Sequence, residues 1–147
     1  MAASKDARER AGEPLMWFQH DSDAAQDLKC RRLIMRHGNE GYGLYWRLCE
    51  TLAAARGHAL PASTEEDWML ISESIGMLPR TDFFDELDVQ KCKDFVASLA
   101  DIGLVVFDEE GRIKSERMTR NAAYFGTQKS NAAKGGRPRK QKPANEE

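Results

Sequence analysis

The chain has 147 residues, enough for one domain of ordinary size with tails. Apolar residues make up 41% and charged residues 31%, mean hydropathy is −0.64, and no apolar run approaches the ~20 residues that span a bilayer, so membrane insertion is excluded. The net charge of −2 carries no overall bias towards an anionic partner, and three widely spaced cysteines, Cys30, Cys49 and Cys92, form no disulfide framework; a cytoplasmic protein is expected.

Residues 1–14 hold alanine, glycine and charge without an apolar period and end in Pro14, so they are expected to be a disordered tail. Their charged start (Lys5, Asp6, Arg8, Glu9, Arg10) does not read as a signal peptide. The composition changes at Leu15-Met16-Trp17-Phe18, where the domain begins. His20-Asp21-Ser22-Asp23 offers N-cap chemistry for a helix over roughly 24–37, with Cys30, Leu33, Ile34 and His37 on one face and Gly38 as its stop. Lys29, Arg32 and Arg36 line the opposite face. A second helix over about 40–56 follows from the spacing of Tyr45, Leu48, Cys49 and Leu52, and Gly57 closes it. Gly41 and Gly43 inside it each cost about 1 kcal/mol relative to alanine, which places them at a bend or a close approach.

His58-Ala59-Leu60-Pro61 is short and extended. Ser63-Thr64-Glu65-Glu66 fits a capping box, opening a third helix that turns Trp68, Ile71 and Ile75 inward and stops at Gly76. Residues 79–87 form a connection with a helical turn around Phe83-Phe84. Asp88 is the expected N-cap of a fourth helix whose stripe is Val89, Cys92, Phe95, Val96, Leu99 and Ile102, ended by Gly103. Leu104-Val105-Val106-Phe107 reads as a strand, Asp108-Glu109-Glu110-Gly111 as a turn and Arg112-Ile113-Lys114 as the returning strand. A last helix runs from Ser115 to about Tyr124; residues 126–147 are polar and basic, a flexible arm. Trp17, Phe18, Trp46, Trp68, Phe95 and Phe107 are expected in the core.

The fold class is therefore mainly α with a small β-hairpin. Helix, helix, extended piece, helix, helix, hairpin is the element order of a winged helix-turn-helix domain, here over residues 15–125 between two disordered tails, with the fourth helix in the recognition position and the hairpin as wing. Trp17-Phe18-Gln19-His20-Asp21-Ser22-Asp23, residues 27–36, and Gly38-Asn39-Glu40-Gly41-Tyr42-Gly43-Leu44-Tyr45-Trp46 resemble the N-terminal domain of phage replication-organiser and initiator proteins, which is related to the DnaD-like winged helix of primosome proteins. The resemblance covers about residues 16–120 and implies a winged-helix fold and a role in starting DNA replication on a phage or prophage genome. Such initiators continue into a helicase-recruiting second domain, whereas here the resembling part is followed by the basic segment.

Split by position, the net charge is a sum of unlike blocks. Residues 1–59 carry nine Lys/Arg against eight Asp/Glu, residues 60–111 three against thirteen, and residues 112–142 ten against Glu116 alone. An acidic body with a basic arm points to nucleic acid. The candidate DNA contacts are Lys29, Arg32 and Arg36 on the first helix, and Arg112, Lys114, Arg117, Arg120, Lys134, Arg137, Arg139 and Lys140 in and before the arm, with double-stranded DNA preferred over single-stranded. Gly135-Gly136-Arg137-Pro138-Arg139-Lys140 resembles the core of an AT-hook, although glycine at 135 stands where the hook carries arginine. The recognition-position helix is close to neutral outward (Gln90, Lys91, Asp94, Ala97, Ser98, Asp101) and the wing turn is acidic, unlike a major-groove reader. Of the aromatic residues, Tyr124-Phe125 between Arg120 and Lys129 is the one pair with the interleaving that suits stacking on single strands.

Nothing in the sequence points to catalysis or a cofactor. There is no Cys-x-x-Cys or His-x-x-x-His pair, His20-Asp21 with Cys30 or His37 is not a ligand spacing, and neither a phosphate loop nor a nucleophile elbow is present. The expectation is a non-enzymatic DNA-binding protein of phage or prophage replication initiation, working beside replication proteins. The alternative, motivated by the acidic surface of residues 60–111, is an adaptor that recruits or inhibits a host protein through the folded body.

Overall fold

The computed structural model describes residues 2–77 and 86–135, and of residues 86–88 the backbone alone. Within them the chain is mainly helical with one small antiparallel hairpin: α1 (Lys5–Ala11), α2 (Leu28–Ala54), α3 (Glu65–Ile75), α4 (Glu86–Ile102), β1 (Val106–Phe107), β2 (Ile113–Lys114) and α5 (Glu116–Ala133).

Both expected tails need correction. Residues 5–11 of the expected disordered tail are helical: Ser4 caps α1 by accepting the Ala7 N–H at 3.1 Å, and Ala7 is buried. Residues 126–133 of the expected flexible arm belong to α5, which runs nine residues beyond Tyr124. The two errors share a cause, because α1 and α5 pack on each other. A seven-residue helix is too short to persist alone, so its sequence lacks the period of an independent helix. The contact is made by small residues. A Cβ on Gly126 would lie 2.5 Å from the Ala7 carbonyl oxygen and 2.9 Å from the Ala11 Cα, so the backbones approach as only glycine allows. Lys129 pairs with Glu13 at 3.6 Å, the Gly57 N–H donates to the Gly12 carbonyl at 2.7 Å, and the buried His58 ring sits 2.9 Å from both the Leu52 and the Ala11 carbonyl oxygens.

The first two expected helices meet at Gly38 as expected, forming the two halves of α2 across a break where φ is 66° and ψ is −166°. That backbone region belongs essentially to glycine. The N-cap lies later than expected: residues 24–26 form a single 3-10 turn, and the Asp27 carboxylate accepts the N–H groups of Lys29 and Cys30. The bend is thus at Gly38. A Cβ on Gly41 would collide with the His37 side chain across it, while Gly43 faces open space.

The capping box of α3 forms one residue later than expected, with Thr64 as cap and Asp67 answering it. Helix α4 begins at Glu86, two residues before the expected Asp88 cap, and the rest of the connection at 78–85 lies outside the described residues. Its end is as expected. Gly103 takes a φ of 91°, the Gly103 N–H reaches the Ala100 carbonyl and the Leu104 N–H the Leu99 carbonyl, a Schellman closure that turns the chain into the hairpin. In the hairpin Val106 faces Lys114 and Phe107 faces Ile113. The extended piece before α3 joins it: Leu60 and Ile113 exchange backbone hydrogen bonds of 3.0 and 2.8 Å.

One core joins Leu33, Tyr45, Leu48 and Leu52 of α2, Ile71 and Ile75 of α3, Phe95, Val96 and Leu99 of α4, and Val105, Ile113 and Met118 around the hairpin. Of the aromatics expected there, Trp46 and Phe95 are buried and Phe18 and Trp68 partly so, but Trp17 and Phe107 are 64% and 45% exposed.

The two open glycines of α2 make opposite predictions. Gly38→Ala costs about 1–3 kcal/mol because the broken backbone conformation is lost. Gly43→Ala adds up to about 1 kcal/mol by restoring helix propensity. Urea unfolding followed by circular dichroism measures both; equal effects of the two substitutions contradict a functional break at Gly38.

Candidate functional site

The acidic body engages the cations near it. On the hairpin, Asp108 pairs with Arg112 at 2.9 Å and with Lys114 at 3.5 Å, and Glu110 lies 3.5 Å from the same guanidinium. The other Asp108 oxygen accepts the backbone N–H groups of Glu110 and Arg112, closing the turn. On the helices, Glu65 pairs with Lys93 at 2.8 Å and Asp101 with Arg36 at 2.7 Å. Lys29 donates to the Gly103 carbonyl at 3.0 Å, at the negative end of the α4 dipole. The exposed face of α4 offers Gln90, Asp94, Ala97 and Asp101, with Gln90 donating to Asp94, while Ser98 is half-buried against His37 at 2.8 Å.

Of the expected contact residues, then, Arg36, Arg112 and Lys114 are held by carboxylates. Arg32 is exposed on α2, and Arg120 and Lys134 are exposed on and just after α5; none of these three has an ion pair among the described residues. Arg137, Arg139 and Lys140, with the hook-like segment from Gly136, lie outside the described residues.

The structure brings three of the expected residues together. Lys29, Arg117 and Arg120 line a cleft of about 110 Å³ between the start of α2, the α4 end at Gly103 and α5, where Asp27 and Glu116 are also present. Arg117 and Arg120 also line a neighbouring cleft of about 310 Å³ with Gln19, Asp21, Asn121 and Tyr124. Arg117, Arg120, Asn121 and Tyr124 recur at helical spacing, so one face of α5 carries all four. Arg117 is braced there by Asp21 at 3.7 Å and by the Trp46 ring 5.5 Å beneath its guanidinium. Trp46 is in turn covered by His20, stacked at 3.7 Å, and by Phe18 at 6.1 Å.

Sequence reasoning missed Trp17, Gln19 and Asn121. The Asn121 carboxamide accepts the Gln19 N–H at 3.2 Å and donates to the Arg117 carbonyl at 2.9 Å, tying residues 17–21 to α5. Trp17 packs edge-on against Phe125 at 4.4 Å. The helical phase of Asn121 with Arg117 and Tyr124 was a readable signal, whereas its partner stands 102 residues away in sequence.

The cysteines offer no reactive group. Burial pushes the Cys49 thiol up to about 12 and also raises Cys30 and Cys92. Among the described residues no group of three His, Cys, Asp or Glu is placed to hold a metal ion, and no helix is long and apolar enough to cross a membrane.

Residues 17–117 match the model of the family described as Lin1244/Lin1753-like, N-terminal, and the chain belongs to that family. No curated protein and no solved structure matches it.

The hairpin turn carries a pH signature. The backbone N–H of Arg112, then its guanidinium and the Glu110 N–H, hold the Asp108 carboxyl below its ordinary value of 3.8, and the N–H groups of Ser63 and Thr64 do the same for Asp67. A carboxyl with a lowered folded value stabilises the fold fully above its unfolded value, and that contribution disappears as pH falls through the folded value. In a carbon-detected NMR titration Asp108 and Asp67 therefore protonate below 3.8, as does Asp6, whose carboxyl is held down by Ser130 and Arg10. Asp108→Asn removes the hairpin's share of the acid-side loss; titration of Asp108 at or above its ordinary value contradicts the arrangement.

Proposed function

We propose that this chain is a cytoplasmic, non-catalytic DNA-binding protein acting with replication proteins at the initiation of replication on a phage or prophage genome. In this reading residues 15–125 are a winged helix. The second half of α2, the strand residue Leu60, α3, α4 and the hairpin follow one another in that order, with Leu60 joining the sheet beside Ile113. The replication role draws on the resemblance carried by residues 17–23 and 38–46.

The observation that carries DNA binding is where cations remain without carboxylate partners. Arg36, Lys93, Arg112 and Lys114 are paired, whereas the exposed Arg32, Arg120 and Lys134 have no ion pair among the described residues, and the last two lead in sequence into Arg137, Arg139, Lys140 and Lys142. Backbone phosphates, in duplex DNA above all, are the ligand that such a series suits. The acidic turn would be repelled by phosphate and the near-neutral α4 face attracts it little; both are left to other contacts. A second reading, an adaptor for a host protein, is favoured by the hairpin, where Val106 and Phe107 are 41% and 45% exposed beside that turn.

Ending the chain after Gly135 tests the proposal without disturbing the α1–α5 packing. Loss of residues 136–147 weakens duplex binding at least about tenfold at low salt and lowers the salt slope by about 0.9 for each phosphate contact removed. Fluorescence anisotropy across a salt series reads both, and unchanged affinity sinks the role given to the basic segment. For the adaptor reading, a protein captured from nuclease-treated lysate by the wild type and lost with Phe107→Ser is the outcome that favours it.

A further inference from the structure

We infer that the ledge formed by Trp17, Tyr124 and Arg120 is a binding site for single-stranded DNA, on which unpaired bases stack and Arg120 takes a phosphate. This rests on the DNA-binding reading and extends it, because the phosphate contacts proposed above need no base to be unpaired.

Two large rings stand out from the surface here. Tyr124 is 54% exposed and Trp17 64%, so neither completes the core. Both are nevertheless fixed in place. Phe125 touches both, with the Trp17 ring 4.4 Å away and the Tyr124 ring 5.4 Å away, each in an edge contact. The segment carrying Trp17 is tied to α5 by the Gln19–Asn121 hydrogen bond. Rigid, half-exposed rings bind at low cost in conformational entropy, since their orientation is already set.

The polar surroundings select the ligand. Tyr124 borders the cleft of about 310 Å³, within the range of small-ligand sites, and shares it with Gln19 and the guanidinium groups of Arg117 and Arg120. Arg117 is engaged by Asp21 and Trp46, which makes it a fixed wall. Arg120 has no ion pair among the described residues and sits one helical turn before Tyr124. A ring face one turn from a guanidinium matches a ligand that alternates flat bases with phosphates. The adjoining cleft adds Lys29 to Arg117 and Arg120, with Asp27 and Glu116 in the same lining. Duplex DNA keeps its base faces stacked inside, so the rings gain nothing from it; an unpaired strand presents those faces.

The experiment uses the full chain with a labelled oligothymidylate of about 15 nucleotides and a duplex of the same length, followed by anisotropy. Tyr124→Ala weakens oligothymidylate binding at least about fivefold and leaves duplex binding within about twofold, while Tyr124→Phe keeps wild-type affinity for both. Arg120→Gln weakens both ligands and lowers the salt slope by about 0.7 on the single strand. Thermal unfolding confirms that the variants fold, and Tyr124→Leu, which keeps bulk but removes the ring face, gives the same loss if the alanine variant does not fold. Unchanged oligothymidylate binding by Tyr124→Ala, or equal loss on both ligands, overturns the stacking site while DNA binding stands. A wild type that binds neither ligand, including one that captures only a protein, overturns the DNA-binding reading and this site with it.

Discussion

The break at Gly38 decides how the rest of the molecule is arranged. A straight helix of the 27 residues from Leu28 to Ala54 would be about 40 Å long, and one end of it would leave the body. With the break, the first half folds against the C-terminal end of α4, where His37 meets Ser98 and Phe95, Arg36 meets Asp101, and Lys29 reaches the Gly103 carbonyl. The second half carries Tyr45, Trp46, Leu48 and Leu52 into the core. Trp46 then becomes the floor beneath His20, Phe18 and Arg117, which links the start of the domain to α5. One backbone conformation thus sets both the covering of α4 and the foundation of the candidate site.

The same folding-back sorts the charges. Arg36, read from its helical spacing as a phosphate contact, is brought beside Asp101, and the hairpin turn brings Arg112 and Lys114 beside Asp108. Exposed ion pairs of this kind add little stability. Their consequence is electrostatic: they lower the positive potential around α4 and the hairpin. On the α5 side Arg120 has no ion pair among the described residues, and it stands one helical turn from the exposed Tyr124 ring.

The parts of the fold legible in the sequence are those governed by local chemistry. Gly38, Gly76 and Gly103 end helices as read, the α4 stripe from Val89 to Ile102 is apolar to the core, and the turn at 108–111 joins the expected strands. The misread parts are made by contacts between distant segments. Helix α1 and the second half of α5 stabilise each other through Ala7, Ala11 and Gly126, residues whose small size is the contact itself and leaves no hydrophobic period. The size of Trp17 predicts a core residue, yet it packs edge-on against Phe125 and stays 64% exposed. For the site, the phase of Arg117, Arg120 and Tyr124 on one helix face was available from spacing, and the neighbours that turn that face into a cleft were not.

The α1–α5 pair supports the candidate site from outside the residues of the family match. The family match ends at Arg117, so the residues it spans include Trp17, Gln19, Trp46 and Arg117, while Arg120, Asn121 and Tyr124 come from the continuation of α5. A helix extending from a domain without lateral support frays within a turn or two. Here α1 packs against the extension at Gly126 and Glu13 holds Lys129, so α5 stays regular to Ala133. The brace therefore does two things at once. It fixes the angle at which Tyr124 and Arg120 meet the body, and it carries the helix on to its C-cap at Lys134, about 15 Å beyond Tyr124.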